Sequence, residues 1–307
     1  MSRIIYTGMD EKSKVFRKGA FFVCKRRKIC YNIGMNNARN KRRTTYNAPN
    51  PLPVLAPTQA KASGLAYSAA IIFLYVLSLI CSILLGAAGI DLSGKAKPDW
   101  YIYLSYLMPQ AALLLASVVY FAWLKRPVKA AIREQKSHPK YFLVAIVLQA
   151  GLLSLSSLND IFIGFLERFG YEQSTLLLPD LDGFGLIAAI FCVAVLPALL
   201  EEILFRGILL KGLQSFGALA SVLLCGGLFA LYHQNPVQTV YQFACGAAFA
   251  LVAWKAGSIL PTVLSHFINN TLIILLTKFG MEGIPSAAYV PYVAITSLCL
   301  VGALGYL

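Results

Sequence analysis

The chain has 307 residues, of which 58% are hydrophobic and only 13% are charged, and its mean hydropathy is +0.67. A soluble domain has about 45–50% apolar and about 25% charged residues, so this composition excludes a soluble globular enzyme and predicts a polytopic membrane protein. The net charge is +14, but most of the excess lies in residues 1–61. It therefore indicates a basic cytoplasmic flank of a membrane domain, and no nucleic-acid partner.

Residues 1–64 form the first predicted domain, a basic and proline-containing cytoplasmic tail that we predict to be disordered. Pro49, Pro51, Pro53 and Pro57 give its last part the composition of an extended linker. Met35 begins a basic stretch of its own, and we expect it to be the true start of the protein.

Residues 65–307 form the second predicted domain, an all-α transmembrane bundle of about eight helices. A transmembrane helix needs about 20 mostly apolar residues, and the apolar segments here meet that length. The predicted spans are 66–90, 101–124, 141–165, 184–211, 217–235, 237–256, 258–279 and 287–307.

The charges of the loops predict the orientation of the bundle. The 125–140 loop is rich in Lys and Arg, whereas the 166–183 loop carries four carboxylates and a single Arg168. Because cytoplasmic loops carry the excess of Lys and Arg, we predict a cytoplasmic 125–140 loop and a cytoplasmic N-terminus.

Most of the predicted spans avoid charged groups, which are costly in a bilayer, whereas the fourth, fifth and seventh carry ionisable residues that point to a function. Glu202 and Arg206 lie four residues apart on the fourth span and should form an ion pair on one helix face. Glu201 points about 100° away from Glu202, so Arg206 cannot easily neutralise both. His233 ends the fifth span, and the seventh carries a neighbouring pair on one face, namely His266 and Asn270.

One glutamate and two histidines in a sheltered site can supply a general base, a general acid and an oxyanion donor for attack of water on a carbonyl. The same set could also hold a divalent metal, which stays open as an alternative. We favour a site without a metal, because three separate helices supply the groups and there is no HExxH helix. The neighbouring Asn269 is expected to form a hydrogen bond between helices.

The predicted boundaries leave one discrepancy in depth. Glu201 lies roughly 15 Å from the helix end near Lys211, whereas His233 lies roughly 24 Å from Gly217 on the same side. We therefore expect the fifth span either to start later than Gly217 or to tilt strongly.

Together, Glu201-Glu202…Arg206, Phe229…His233 and His266…Asn270 resemble the EExxxR, FxxxH and HxxxN motifs of the CAAX prenyl protease and bacteriocin-processing family, also called Abi proteins. The resemblance covers about residues 180–275. It implies an eight-span bundle with a cavity that opens to the cytosol. It also implies an endopeptidase that acts on a membrane-embedded or membrane-associated protein or peptide and needs no metal cofactor.

Carried onto this chain, the resemblance assigns water activation to Glu201 and His233. It assigns the oxyanion side to His266 and Asn270, and support of the site to Glu202, Arg206 and Phe229. The short loops look bacterial, so we expect a multi-pass protein of the bacterial plasma membrane. The alternatives are a non-catalytic membrane scaffold or self-immunity protein with the same fold, and a proton-coupled transporter, which the motifs fit less well.

Overall fold

The computed structural model describes residues 12–17, 20–25, 29–33, 57–92, 97–125, 127–132, 136–172, 177–280 and 286–307. The chain divides into two units, residues 1–50 and residues 51–307. Met35 and the first three prolines of the predicted linker lie outside the described residues.

The first unit contains three short strands: β1 (Lys12–Arg17), β2 (Ala20–Lys25) and β3 (Ile29–Ile33). Both neighbouring pairs are antiparallel, in the order β1-β2-β3. Aromatic and β-branched residues such as Phe21, Phe22 and Val23 favour a strand. The disorder of residues 1–64 as a whole stays a prediction.

Over its described residues the second unit consists of helices and their connections, which confirms the predicted all-α polytopic fold. Its helices outside the predicted fourth span are α1 (Pro57–Ala87), α2 (Asp99–Leu124), the short α3 (Lys129–Ile132), α4 (Lys140–Leu152) and α5 (Ser156–Glu167). They continue with α9 (Ala218–Tyr232), α10 (Thr239–Ala256), α11 (Leu260–Lys278) and α12 (Ser286–Tyr306). A short 3₁₀ turn (Leu153–Leu155) joins α4 to α5.

The predicted fourth span is one continuous helical rod, Phe184–Phe216, that changes its winding five times along its length. Its segments are α6 (Phe184–Ala189), a first π-helix (Ile190–Val195), α7 (Leu196–Glu202), a second π-helix (Ile203–Leu209), α8 (Leu210–Leu213) and a 3₁₀ turn (Gln214–Phe216). The rod therefore extends to Phe216, beyond the predicted end at residue 211.

Seven helices of the described chain are long and apolar enough to cross a membrane. The fifth predicted span, 217–235, differs: its helix α9 has only 15 residues. It therefore measures roughly 22 Å along its axis, less than the hydrocarbon thickness of about 30 Å.

The bundle has two ends, and loop contacts assign the connections to them. At one end, here called the basic end, Lys211 Nζ donates to the carbonyl of Ala130 at 2.5 Å and the Ile259 N–H donates to the carbonyl of Ile132. At the other, here called the acidic end, the Asp180 N–H donates to Asp99 Oδ1. The Lys278 ammonium also pairs there with the carboxylate of Asp182, at 3.1 Å.

The connection between α9 and α10 lies part of the way along the bundle, well short of the acidic end. The Tyr75 hydroxyl donates to Gln234 Oε1 at 2.8 Å. Tyr75 lies roughly 18 Å from Ala87, the C-terminal end of α1. The Tyr241 hydroxyl donates to Asn269 Oδ1 at 3.0 Å, and Asn269 lies roughly 14 Å from the end of α11. Helices α9 and α10 thus form a hairpin that enters from the basic end and turns at the depth of the ionisable residues.

This hairpin and the longer rod resolve the discrepancy in depth, and the expected late start of the fifth span is wrong. Helix α9 does begin directly after Gly217, but the preceding rod also runs on to Phe216. Glu201 therefore lies roughly 22 Å from that end and His233 roughly 24 Å, which brings both to one level without a late start.

Candidate active site

The rod 184–216 presents the two glutamates and the arginine to the interior of the bundle. Arg206 Nη1 donates to Glu202 Oε1 at 2.6 Å, and both side chains are fully buried. The ion pair predicted from the spacing of the two residues is thus confirmed. Such a pair keeps two charges mutually satisfied in a region where an isolated charge would be costly.

Aromatic rings and a backbone carbonyl complete the surroundings of Arg206. Its guanidinium lies 4.4 Å from the ring centre of Phe229 and 5.4 Å from that of Phe249, where cation–π attraction adds to the ion pair. Nη2 donates to the carbonyl of Gly246 at 3.0 Å. A Cβ at Gly246 would lie 2.9 Å from the Cα of Gly226, so glycine is required for this close approach of α9 and α10.

Glu202 also contacts two residues of helix α11. Besides Arg206, it accepts a hydrogen bond from Thr262 Oγ1 at 2.7 Å, and His266 Nδ1 lies 3.1 Å from its Oε1 atom. Because a carboxylate can only accept, Nδ1 carries the proton in this contact and Nε2 points the other way. Glu202 therefore fixes the ring of His266 as well as the charge of Arg206.

Glu201 has a different environment from Glu202. Its Oε1 accepts a hydrogen bond from Gln110 Nε2 at 3.3 Å. Its Oε2 is buried, lies 3.8 Å from His266 Nε2, and has no hydrogen-bond partner among the described residues. We expected that Arg206 would not neutralise both glutamates, and this geometry agrees. Arg206 pairs with Glu202, and one oxygen of Glu201 faces His266 instead.

His233 follows the last residue of α9 and is half-buried. Its Nδ1 lies 2.9 Å from the carbonyl of Phe229, and its ring packs on the Phe229 ring with centres 4.8 Å apart. The carbonyl can only accept, so Nδ1–H donates and Nε2 is left as the acceptor. The same Phe229 ring lies 6.1 Å from that of His266. Phe229 therefore packs against both histidines, and in the described structure His233 has no hydrogen bond to Glu201.

Asn270 lies one turn beyond His266 and is held by other groups. Its Nδ2 donates to the carbonyl of Val193, and its Oδ1 accepts from Asn269 Nδ2, both at 3.0 Å. Pro197 explains why that carbonyl is available: proline has no N–H to donate to the carbonyl four residues earlier. The first π-helix lies directly before this proline.

Asn269 forms hydrogen bonds between helices, as predicted. Its Oδ1 accepts from Gln149 Nε2 at 2.6 Å and from the Tyr241 hydroxyl at 3.0 Å. The amide therefore joins α4, α10 and α11, and through its Nδ2 it also orients Asn270.

Sequence reasoning missed two residues of this site, Gln110 and Thr262. Thr262, His266 and Asn270 are spaced four residues apart on α11, so an extended TxxxHxxxN pattern could have revealed Thr262. Gln110 belongs to α2, far from the three motifs in sequence, and nothing in its neighbourhood singles it out. Its neighbour Pro109 accepts a hydrogen bond from the Tyr232 hydroxyl at 3.2 Å, so α2 contacts both Glu201 and the end of α9.

The fit of a metal ion can be judged from the donor atoms. Glu201 Oε2 and His266 Nε2 are close enough to share one ion, but His266 Nδ1 and both oxygens of Glu202 are engaged by protein groups. Among the described residues, no three His, Cys, Asp or Glu side chains are grouped so that they could hold a metal. These residues therefore offer a metal ion only two protein ligands, whereas a catalytic zinc site has three.

Comparison with known proteins agrees with this site. No curated protein matches the chain. Residues 183–272 match the family model described as type II CAAX prenyl endopeptidase Rce1-like, and this segment contains both glutamates, both histidines and Asn270. The family that the three motifs predicted is thus confirmed over residues 183–272, the part of the chain that is similar to Rce1-like endopeptidases.

Proposed function

We propose that this protein is an intramembrane endopeptidase in which Glu201 activates a water molecule for attack on a peptide carbonyl. One observation carries the proposal: a buried Glu201 oxygen, which has no hydrogen-bond partner in the part of the chain that the structure describes, faces His266 Nε2 within the segment that matches a peptidase family. A carboxylate with a free oxygen in a sheltered site can take a proton from water.

The steps follow from the roles of the side chains. Glu201 accepts a proton as the water oxygen attacks the carbonyl carbon, and His233, through its Nε2, assists that activation. When His266 is protonated, its Nε2–H can donate to the developing oxyanion while Nδ1–H stays on Glu202. Collapse of the tetrahedral intermediate breaks the C–N bond, and the proton held by Glu201 passes to the leaving amine.

Asn270 is proposed as the second oxyanion donor, and its Nδ2 would exchange the Val193 carbonyl for the substrate oxygen.

The first experiment is cleavage of a defined peptide by the purified protein. The probes are a farnesylated peptide ending in a Cys-aliphatic-aliphatic-X sequence and the same peptide without the lipid, both with a fluorophore and a quencher. We expect cleavage of at least one probe. A folded protein that cleaves neither and binds both would favour the non-catalytic scaffold.

Gln110 should matter for turnover because it orients Glu201. Replacing Gln110 by Leu removes the N–H that contacts Glu201 Oε1, and a hydrogen bond to a charged group is worth about 1.5–3 kcal/mol. We expect kcat to fall about 10- to 100-fold with a small change in KM. The matched control is Gln242→Leu on α10, which should keep the wild-type kcat; equal losses in both variants would contradict the assignment.

Strong chelation should leave the activity unchanged, because the proposal gives Glu201 the role of base and not of metal ligand. The measurement is peptide cleavage after dialysis against a chelator, with and without added zinc. Loss of activity that one equivalent of zinc restores, and other ions do not, would make the protein a metallopeptidase.

The orientation is proposed from the charges at the two ends. Lys125, Lys129, Lys211 and Lys255 belong to the basic end, so we propose that it faces the cytoplasm, together with the N-terminus, in a bacterial plasma membrane. In a variant without native cysteines, Lys129→Cys should resist an impermeant thiol reagent added outside intact cells. Asp182→Cys should react, and the opposite pattern would reverse the orientation.

A further inference from the structure

Four side chains beside the candidate site form one hydrogen-bonded network, here called the amide network. It consists of Asn270, Asn269, Gln149 and Tyr241, which belong to the three helices α4, α10 and α11. Gln149 and Asn269 are buried, with 3% and 8% of their surfaces exposed. The proposed mechanism uses only Asn270 from this network, so the other three residues have no part in it yet.

One acceptor sets the direction of the hydrogen bonds in the amide network. The Val193 carbonyl can only accept, so Asn270 turns its Nδ2 toward Val193 and its Oδ1 toward Asn269. Asn269 therefore donates through Nδ2, and its own Oδ1 accepts from Gln149 Nε2 and from the Tyr241 hydroxyl. Gln149 Nε2 also donates to the Tyr241 oxygen at 3.3 Å, which leaves the Tyr241 proton for Asn269. Two donors thus hold the amide of Asn269 in one orientation, and Asn269 holds that of Asn270.

This arrangement matters when a substrate replaces the Val193 carbonyl. In the proposed mechanism, Asn270 Nδ2 leaves that carbonyl for the substrate oxygen, and the contact that fixes the amide from one side is lost. The hydrogen bond from Asn269 Nδ2 to Asn270 Oδ1 lies on the other side of the amide and does not compete with the substrate. An oxyanion donor is effective when the protein holds it in place before the charge develops. The contact with Asn269 supplies that hold.

We propose that Tyr241 and Gln149 are positioning residues for the oxyanion side of the site. They fix the amide of Asn269, and Asn269 in turn keeps Asn270 Nδ2 directed at the developing oxyanion. This role rests on the proposed peptidase function. It also extends the site beyond the segment that matches the family model, because Gln149 lies outside residues 183–272.

The test is a double-mutant cycle, measured by single-turnover cleavage of the peptide and by binding of its phosphinate analogue. In that analogue a phosphinate group replaces the scissile amide, so its oxygens resemble those of the tetrahedral intermediate. Tyr241→Phe and Gln149→Leu each remove one donor to Asn269, and each is made in the wild type and in Asn270→Ala. The matched control is Tyr103→Phe on α2, which removes a hydroxyl that donates to a backbone carbonyl of the rod.

In the wild-type background, Tyr241→Phe and Gln149→Leu should each lower the cleavage rate about 3- to 10-fold, the effect of one hydrogen bond. Each should weaken phosphinate binding by the same factor and leave the affinity for the substrate unchanged. In the Asn270→Ala background neither should lower the rate further, because the amide that they orient is gone. Tyr103→Phe should keep wild-type values. Tyr241→Phe decides the question if Gln149→Leu fails to fold.

Two results would overturn the positioning role and leave the peptidase function intact. One is a wild-type cleavage rate in both variants. The other is an equal loss with and without Asn270, which would mean that Tyr241 and Gln149 only stabilise the fold. A wild type that neither cleaves the peptide nor binds the phosphinate would instead overturn the peptidase function, and the positioning role with it.

Discussion

Glu202→Gln should lower the free energy of unfolding by about 3–5 kcal/mol, because it leaves Arg206 as a buried cation without its partner. Both side chains of the pair are fully buried, so water cannot replace the missing charge. The amide keeps only one acceptor oxygen, so it cannot accept from both Thr262 and His266, which contact different oxygens of Glu202. The measurement is reversible unfolding in mixed micelles, with Glu167→Gln at the end of α5 as the matched control.

A double variant distinguishes the effect of the ion pair on stability from the effect of changing the shape of the two side chains. Arg206→Met alone should destabilise the protein in the same way, by leaving Glu202 uncompensated. The double variant with Glu202→Gln should recover part of the loss, since removing both partners removes the buried charge. Wild-type stability in the single Glu202→Gln variant would show that the pair does not stabilise the fold.

Glu201→Gln should lower peptide turnover by at least about 100-fold, which is the lower end of the range that a general base contributes. The amide keeps the size of the carboxylate and its Oε1 contact with Gln110, so the fold should remain intact. We expect the thermal midpoint of this variant to stay near that of the wild type. The Glu201 variant should thus lose activity and keep its stability, whereas the Glu202 variant should lose stability. A purely structural role for both glutamates does not predict this difference.

Much of the site followed from helix periodicity. The spacing of Glu202 and Arg206 predicted their ion pair, and the alternation of directions left Glu201 outside it. The loop charges also separated the two ends of the bundle before any contact was known. These features depend only on local geometry and composition, which a sequence records directly.

Other features depend on how distant elements pack. Gln110 reaches Glu201 from α2, across 91 positions of the chain, and no local pattern announces such a contact. The hairpin of α9 and α10 looked like two ordinary spans, because residues on both sides of its turn are apolar. Its true depth follows from the hydrogen bonds of Tyr75 and Tyr241.

The two π-helices are predictable from the sequence only in part. Pro197 signals a disturbed ladder of backbone hydrogen bonds, and a π-helix precedes it. The second π-helix carries Arg206 and contains no proline. Segments of this kind often occur at functional sites, but the sequence gives no equivalent signal for this one.

The central claim is that Glu201 is the base of a peptidase, and single-turnover cleavage tests it most directly. Wild type, Glu201→Gln and Glu167→Gln are compared at equal concentrations of folded protein, with the farnesylated peptide or whichever probe the wild type cleaves. The account predicts equal rates for wild type and Glu167→Gln, and a rate at least about 100-fold lower for Glu201→Gln. A Glu201→Gln protein that cleaves at the wild-type rate would contradict it.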